Sequence, residues 1–321
     1  MKRPPYLHLV TVAGLLLAAL TACTPQPPLK VGSHVWPGYE FMFLARDEGW
    51  LSPDRVELVE MSTASESLRA LEEGRLEAAA LTLDEVLLAR ASGVPLSVVL
   101  VFNVSVGADK LLVRPGIRTL DGLRGRRVGV ETTAVGALVL SQALATAGLT
   151  MADIIVVPIE GPHRAAWDTY RLDGLVTYEP TASQLMLEGA NKVFDSTAMP
   201  EWIFGVLAVR RDVLEQKGAQ VEALIEGHFR GLYAMRQSPQ DTAYRLASRL
   251  QLPGDKVLAA YRGLVLPDLA GNRALLDTRD GRLNAAAAKL VAWMIAKGRL
   301  PASKSLDALA TAEYLRSGFE P

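Results

Sequence analysis

The stretch RLEAAALTLDE, Arg75 to Glu85, decides the fold because a close copy, RLDGLVTYEP, follows at Arg171 to Pro180 with one residue fewer. A second pair of similar segments precedes them, since KVGSH begins at Lys30 and RVGVE begins at Arg127. Gly32 and Arg75 are 43 positions apart in the first copy, and Gly129 and Arg171 are 42 positions apart in the second. Two matches in the same order and at nearly equal spacing predict two lobes of similar plan.

Strand-like and helix-like runs alternate through both copies. The strand-like runs are short and rich in Val and Leu: LKVG, VELVEM, AAALTL, SVVLVFNVS and KLLV in the first copy, then RRVGVE, DIIVVPIE and GLVTYEP. The helix-like runs cover residues 40–49, 65–74, 84–93, 132–148, 163–171 and 181–189. After Arg211 the pattern is almost entirely helical. This alternation predicts an α/β protein whose mainly parallel sheets are covered by helices, with a helical C-terminal tail.

The order of these segments also predicts the domain organisation. We expect residues 29–112 and 204–321 to form lobe 1, which includes the C-terminal helices, and residues 113–203 to form lobe 2. The chain would then cross between the lobes near residues 112–115 and again near residues 203–207.

The first 28 residues predict export and a lipid anchor. Lys2 and Arg3 precede an apolar run over residues 7–20, which has the length of a secretory signal and is too short for a permanent transmembrane helix. The run ends in LTAC, which resembles a bacterial lipobox, and Cys23 is the sole cysteine of the sequence. We therefore expect residues 1–22 to be a signal peptide, Cys23 to be lipidated and residues 23–28 to be an extended tether. The mature protein would be a membrane-anchored lipoprotein that faces the periplasm or the cell exterior.

Composition favours a compact globular protein without a nucleic-acid partner. Cleavage before Cys23 would remove Lys2 and Arg3 and leave 32 basic and 35 acidic residues. The resulting net charge of about −3 gives no electrostatic basis for binding nucleic acid. Half of the residues are apolar, which is typical of a globular chain.

The loops after the predicted strands form the candidate ligand site. Ligands of open α/β sheets bind beyond the carboxyl ends of the strands, so two facing lobes would form a cleft lined by such loops. The loop HVWPGYE, His34 to Glu40, carries Trp36 and Tyr39 at positions where small turn residues are usual. The other strand ends present Thr82, Asp84, Asp109, Glu131, Thr132, Tyr178 and Glu179.

Four segments, VWPGYEFMFLARDEGW, ESLRALEEGRLEAAALTLDE, LDGLRGRRVGVE and DGLVTYEP, together resemble the solute-binding lipoproteins of bacterial ABC importers. The resemblance is to the group that binds nitrate, sulfonates, taurine and thiamine pyrimidine precursors, and it extends from about Leu29 to Arg211. It implies a two-lobed periplasmic-binding-protein fold of the type II kind. It also implies that the protein delivers a small molecule to an ABC permease and its ATPase without chemistry on the ligand. We expect a monomer without cofactor. By the same resemblance, the ligand contacts are Trp36, Tyr39, Thr82, Asp84, Glu131, Thr132, Tyr178 and Glu179.

The charge of the candidate residues favours an amine-bearing or heteroaromatic, pyrimidine-like ligand. Four of them, Asp84, Asp109, Glu131 and Glu179, are acidic, whereas the basic residues near the cleft are Lys110, Arg164 and His34. Carboxylates repel an anion at close range, and they hydrogen-bond to amino groups while an aromatic face stacks on the ring. Two alternatives stay open: residues 132–133 at a helix start could hold a sulfonate or nitrate, and some of the carboxylates could merely cap helices.

Two other classes of function also stay open. An enzyme of pyrimidine metabolism on the same fold could use His34 or His163 as an acid or base. No Ser-His-Asp arrangement and no metal-ligand spacing is visible in the sequence, which argues against an enzyme. A sensor would signal ligand occupancy to a receptor instead of a permease.

Overall fold

The computed structural model describes residues 26–132, 135–279, 281–301 and 306–316, and shows two sheets that are both flanked by helices. The predicted α/β class and the two-lobed plan are confirmed. The predicted signal peptide, Cys23 and the start of the tether lie outside the described residues. Among the helices of the described ranges, none reaches the combination of length and apolar character that a bilayer span requires.

The first sheet forms lobe 1 and contains six strands. These are β1 (Leu29–Ser33), β2 (Val56–Glu60), β3 (Ala78–Thr82), β4 (Leu96–Ser105), β10 (Phe204–Arg210) and β11 (Leu264–Val265), in the spatial order β11-β4-β10-β3-β1-β2. The first four strands are parallel, and β10 and β11 are antiparallel to them. The helices between the strands are Glu40–Asp47, Ala64–Glu72 and Leu83–Ala91, and those of the C-terminal part are Arg211–Gln237, Pro239–Leu250, Gly254–Tyr261, Leu269–Leu276 and Arg282–Ala296.

The second sheet forms lobe 2 and contains five strands. These are β5 (Asp109–Val113), β6 (Arg127–Val130), β7 (Ile155–Pro158), β8 (Gly174–Tyr178) and β9 (Asn191–Asp195), in the order β7-β6-β8-β5-β9. The repeated strands β6, β7 and β8 are parallel, whereas β5 is antiparallel to β8 and β9. The helices of this lobe are Val135–Thr146, His163–Thr169 and Thr181–Leu187.

Local sequence explains where these elements lie. All ten residues of β4 are buried, which is why its sequence is an almost continuous apolar run and not an alternating one. Three helices of lobe 1 end before Gly49, Gly74 and Gly93, whose positive φ angles of 74°, 72° and 99° place them in the left-handed region that a glycine adopts at a helix C-terminus. The chain therefore turns sharply back into the sheet after each helix.

The two crossovers between the lobes lie side by side. The first spans residues 106–108, between β4 and β5, and the second spans residues 196–203, between β9 and β10. The hydroxyl of Ser196 lies 2.8 Å from that of Ser105 and accepts from the Gly107 N–H at 2.6 Å, which ties the two crossovers together. The predicted first crossover at residues 112–115 is wrong by a few residues, because residues 109–113 already pair within the second sheet. Lobe 2 therefore begins at Asp109.

Candidate ligand-binding site

The loops at the strand ends of both lobes surround a narrow cavity with about 30 Å³ of free space. Lobe 1 contributes His34, Trp36, Tyr39, Ala64, Thr82, Glu85, Asn103 and Gly205, and lobe 2 contributes Asp109, Glu131, Val135, Gly136, His163, Val176, Thr177 and Tyr178, while Ile203 comes from the second crossover. The cavity thus lies between the lobes and beside the paired crossovers, where ligands of two-lobed α/β proteins bind.

Aromatic rings form one wall of the cavity and connect the lobes. The ring of Tyr178, from lobe 2, lies 5.6 Å from His34 and 5.7 Å from Trp36, both from lobe 1. Its ring is also 4.9 Å from His163 in its own lobe. Tyr39 lies behind this group, with its ring 5.4 Å from His34 and 6.4 Å from Trp36. The loop that carries Trp36 and Tyr39 is therefore a wall of the cavity, as its position after β1 predicts.

Asn103 fixes the orientation of the Trp36 ring. The indole Nε1–H of Trp36 donates to Oδ1 of Asn103 at 2.9 Å, and both side chains are buried. Two glycines leave room for this amide, because a Cβ at Gly38 would lie 2.1 Å from Asn103 Oδ1 and a Cβ at Gly205 would lie 2.5 Å from it. Any larger residue at either position would displace Asn103 and with it the indole.

Glu131 bridges the two lobes at the edge of the cavity. It follows β6 in lobe 2, and its Oε1 accepts from the backbone N–H of Ser65 in lobe 1 at 3.3 Å and from the Ser65 hydroxyl. Its Oε2 lies 3.5 Å from Nε2 of His163, whose Nδ1 is 3.1 Å from the Thr177 hydroxyl. Burial raises the pKa of Glu131, but the neighbouring His163 side chain and the hydrogen bonds from Ser65 outweigh burial and leave this pKa below its ordinary value. The charged carboxylate therefore holds the N-terminus of the helix Ala64–Glu72 against lobe 2.

The other carboxyl groups of the site are shifted in the opposite direction. Burial raises the pKa of Asp109 to about 6. Burial, and then the charge of Asp84, raise the pKa of Glu85 well above its ordinary value, and burial raises the pKa of Asp84 too. Glu85 accepts from the Thr82 N–H through Oε2 at 2.7 Å, whereas Glu85 Oε1 and Asp109 Oδ2 are buried without a hydrogen-bond partner among the described residues. A ligand that donates hydrogen bonds to these oxygens would stabilise their charged form.

The cations near the site do not balance these carboxyl groups. Lys110 is buried and forms an ion pair of 2.5 Å with Glu179, so its charge is already compensated. Arg299 donates to the backbone carbonyl of Thr132. Burial lowers the pKa of His34 to about 4, which makes this ring neutral near pH 7. Across the described ranges, no three His, Cys, Asp or Glu side chains are grouped as a metal ion would require.

The structure brings together six of the nine residues predicted for the site. Those that line the cavity are Trp36, Tyr39, Thr82, Asp109, Glu131 and Tyr178. The other three lie outside its wall. Asp84 is buried beside Thr82, Thr132 is held through its backbone carbonyl, and Glu179 binds Lys110 and accepts from the Ser183 N–H at 3.0 Å. Glu179 therefore caps the helix Thr181–Leu187, as the capping alternative predicts for one of the carboxylates.

Five polar residues of the cavity wall were not among the predicted ligand contacts, although two of them, His34 and His163, were considered as an acid or base. They are His34, Glu85, Asn103, His163 and Thr177. All five stand in or next to the strand-end loops, so their positions were within reach of the prediction. Their roles were not, because Glu85 sits at the third helix position, where a capping role is usual, and its Oε2 does cap the Thr82 N–H. The second oxygen of that carboxyl faces no protein partner in the described part of the chain, which only the structure shows.

Comparison with known proteins identifies the fold. The sequence profile of a family described as NMT1/THI5 like matches residues 36–242. The alkanesulfonate-binding protein SsuA from Xanthomonas axonopodis pv. citri, bound to MOPS, superposes with a TM-score of 0.71 at 21% identity, over 87% of this chain and 96% of that protein. The periplasmic aliphatic sulphonate binding protein SsuA from Escherichia coli superposes with a TM-score of 0.70 at 20% identity, over 89% and 97%. The periplasmic nitrate-binding protein NrtA from Synechocystis PCC 6803 superposes with a TM-score of 0.67 at 13% identity, over 88% of this chain and 84% of that protein. No curated protein matches the chain at a significant level.

Proposed function

Since the chain belongs to the NMT1/THI5-like family, we propose that it is a solute-binding protein that captures a small molecule between its two lobes and delivers it to an ABC importer. The observation that carries this proposal is the cavity at the strand ends of both lobes, beside two adjacent crossovers that can act as a hinge.

The ligand we propose is an amine-bearing or heteroaromatic molecule. Three rings, Trp36, Tyr39 and Tyr178, offer flat surfaces against which a ring can pack. Glu85 and Asp109 supply buried carboxyl oxygens without a protein partner in the described ranges, and amino groups are the donors that such oxygens bind best. Amino groups placed there would donate to these oxygens, and an ammonium group would also compensate their charge.

A sulfonate or nitrate is the second candidate, and one observation favours it. Because burial raises the pKa of Glu85 well above its ordinary value, this carboxyl group can remain protonated and donate to an anion, and Asp109, whose pKa is about 6, can do so in mildly acidic solution. Against it, the charged Glu131 lies in the same wall, and Lys110 is already paired with Glu179. The anion would therefore enter a site that lacks an uncompensated cation in the described part of the chain.

We further propose where the protein acts and with which partners. It is exported, anchored to a membrane through a lipid on Cys23, and meets a permease and its ATPase as a monomer. The cavity holds the ligand without changing it, and the protein has neither enzymatic activity nor cofactor. A ligand recovered unchanged after prolonged incubation would support this; a new product in the incubation would point to an enzyme.

A thermal-shift screen tests the ligand class. It should contain aminopyrimidines, fragments of flavin and thiamine, betaines, polyamines, taurine, alkanesulfonates and nitrate. A ligand at a hundred times its Kd stabilises the native state by about 2.7 kcal/mol, which for a chain of this size raises Tm by roughly 5 °C. We expect such a rise with an amine or an amine-bearing ring. A rise with taurine or nitrate alone would overturn the ligand class and leave the importer proposal standing.

Two tryptophan variants show whether the ligand occupies the cavity. Trp36→Ala removes an indole from the cavity wall and should abolish the ligand-induced rise in Tm. Trp50→Ala is the matched control, because Trp50 is 38% exposed and is not part of the wall. An equal ligand-induced rise in Tm in both variants would show that the ligand binds outside the cavity.

A further inference from the structure

Asn103 is a buried amide of the cavity wall, and its donor atom has no partner in the described part of the chain. The side chain is 1% exposed, and Nδ2 makes no hydrogen bond within the described residues. Its orientation is fixed by chemistry, because the indole N–H of Trp36 can only donate and must therefore face Oδ1. Nδ2 is left as the atom of this amide that must find its acceptor elsewhere.

This donor lines the same cavity as the two carboxyl oxygens that also lack a partner among the described residues. Asn103 on β4 pairs with Gly205 on β10, and Gly205 pairs with Thr82 on β3, so these three residues form one row across the sheet. Glu85 is attached to the end of this row through its bond to the Thr82 N–H. On the other side, the backbone N–H of Asp109 donates to Ser105, two residues after Asn103, at 3.3 Å. The cavity wall thus combines this donor with two acceptors, one on each lobe.

The cost of an unpaired buried donor gives Asn103 a role in specificity. A buried N–H that loses its water without gaining an acceptor weakens binding, whereas one that meets an acceptor does not. Nδ2 is already shielded from solvent in this structure, and among the described residues no acceptor reaches it, so a ligand in the cavity is the group that can supply one. Ligands that bring an acceptor are favoured for this reason.

We propose that Asn103 is a specificity-determining residue, whose Nδ2 donates to a neutral acceptor of the ligand, either a ring nitrogen or a carbonyl oxygen. The amino groups of the same ligand bind Glu85 and Asp109, so the preferred molecule carries donors beside an acceptor. This inference rests on the proposed function, since it names a further requirement of the same cavity. Asn103 has a second, positioning role, because its Oδ1 holds the indole of Trp36.

Two small probes of nearly equal shape separate these roles. 4-Aminopyrimidine has an amino group and ring nitrogens that accept, whereas aniline has the amino group alone. On the wild-type protein at about pH 7.5, we expect 4-aminopyrimidine to bind about 10- to 100-fold more tightly than aniline, measured by calorimetric titration. In Asn103→Ala the ratio of the Kd of aniline to the Kd of 4-aminopyrimidine should fall to about 1. Loosening of Trp36 weakens both probes alike and therefore does not change the ratio.

A second variant and the wild-type result keep the proposal testable. Asn103→Asp keeps an acceptor for Trp36 and replaces the donor by a second acceptor, so it should also lose the preference for 4-aminopyrimidine. Equal binding of the two probes by the wild-type protein would overturn the role of Asn103 and leave the proposed amine site intact, whether or not the variants fold. If neither probe binds while taurine or nitrate does, the proposed ligand class fails, and this inference fails with it.

Discussion

Replacement of Glu131 by Gln should weaken the closed state of the protein, because this carboxylate joins the two lobes. Glutamine keeps an oxygen that can accept from Ser65 but loses the charge that strengthens both hydrogen bonds and attracts His163. Hydrogen bonds to a charged group contribute about 1.5–3 kcal/mol and neutral ones about 1 kcal/mol, and a charge at a helix N-terminus adds about 0.3–1 kcal/mol. The expected loss is roughly 1.5–3 kcal/mol, or about 10- to 150-fold in the closing equilibrium.

This loss should appear in ligand affinity and in molecular shape. If the unliganded protein is mainly open, Kd should increase by the same factor as the closing equilibrium decreases, since the ligand binds fully only to the closed form. Calorimetric titration measures Kd, and small-angle scattering measures the radius of gyration with and without ligand. Glu188→Gln is the control, because Glu188 is an exposed carboxylate of the same lobe that pairs with Arg164. Unchanged affinity and unchanged closure in Glu131→Gln would refute the bridging role of this residue.

Three further predictions concern the buried charges and the anchor. Lys110→Met leaves the buried Glu179 carboxylate unpaired and should destabilise the protein by about 3–5 kcal/mol in denaturant unfolding, and the additional change Glu179→Gln should restore part of this; a single variant as stable as wild type would contradict the pairing. Burial raises the pKa of Asp109 from 3.8 to about 6, so its contribution to stability is fully present below 3.8 and is lost as the pH rises through about 6. Asp109→Asn, which mimics the protonated form, should therefore raise Tm more at about pH 7.5 than at about pH 5. A Tm difference between variant and wild type that does not depend on pH would count against the raised pKa of Asp109. Cys23→Ser should move the protein from the membrane fraction to the soluble fraction without changing ligand binding, and a variant still in washed membranes would disprove lipid anchoring.

Much of the fold was predictable because its signals are local. The buried run of β4 and the glycines that end the helices are properties of adjacent residues. The first crossover was misplaced because its position depends on pairing between distant segments. Residues 109–113 resemble an ordinary strand of lobe 1 in sequence, and only their antiparallel pairing with β8 assigns them to lobe 2.

The site was predictable by location and less so by role. Trp36 and Tyr39 stand out because aromatic residues are unusual in a short loop after a strand. Asp84 and Glu85 are neighbours at one helix start, and the sequence does not show that Glu85 and not Asp84 lines the cavity. The partner of Glu179 is likewise set by pairing across the sheet, since Lys110 faces Thr177 in the register of β5 and β8 and its amine thus reaches the carboxylate that follows β8.

Small-angle scattering during a titration with the amine-bearing ligand that gives the largest thermal shift tests the central claim most directly. If the cavity between the lobes is the ligand site and the paired crossovers are the hinge, the radius of gyration should decrease as ligand is added and reach a plateau at one ligand per protein. The same titration with Trp36→Ala should leave the radius of gyration unchanged. A wild-type protein that binds the ligand and keeps its unliganded radius of gyration would contradict capture between two closing lobes.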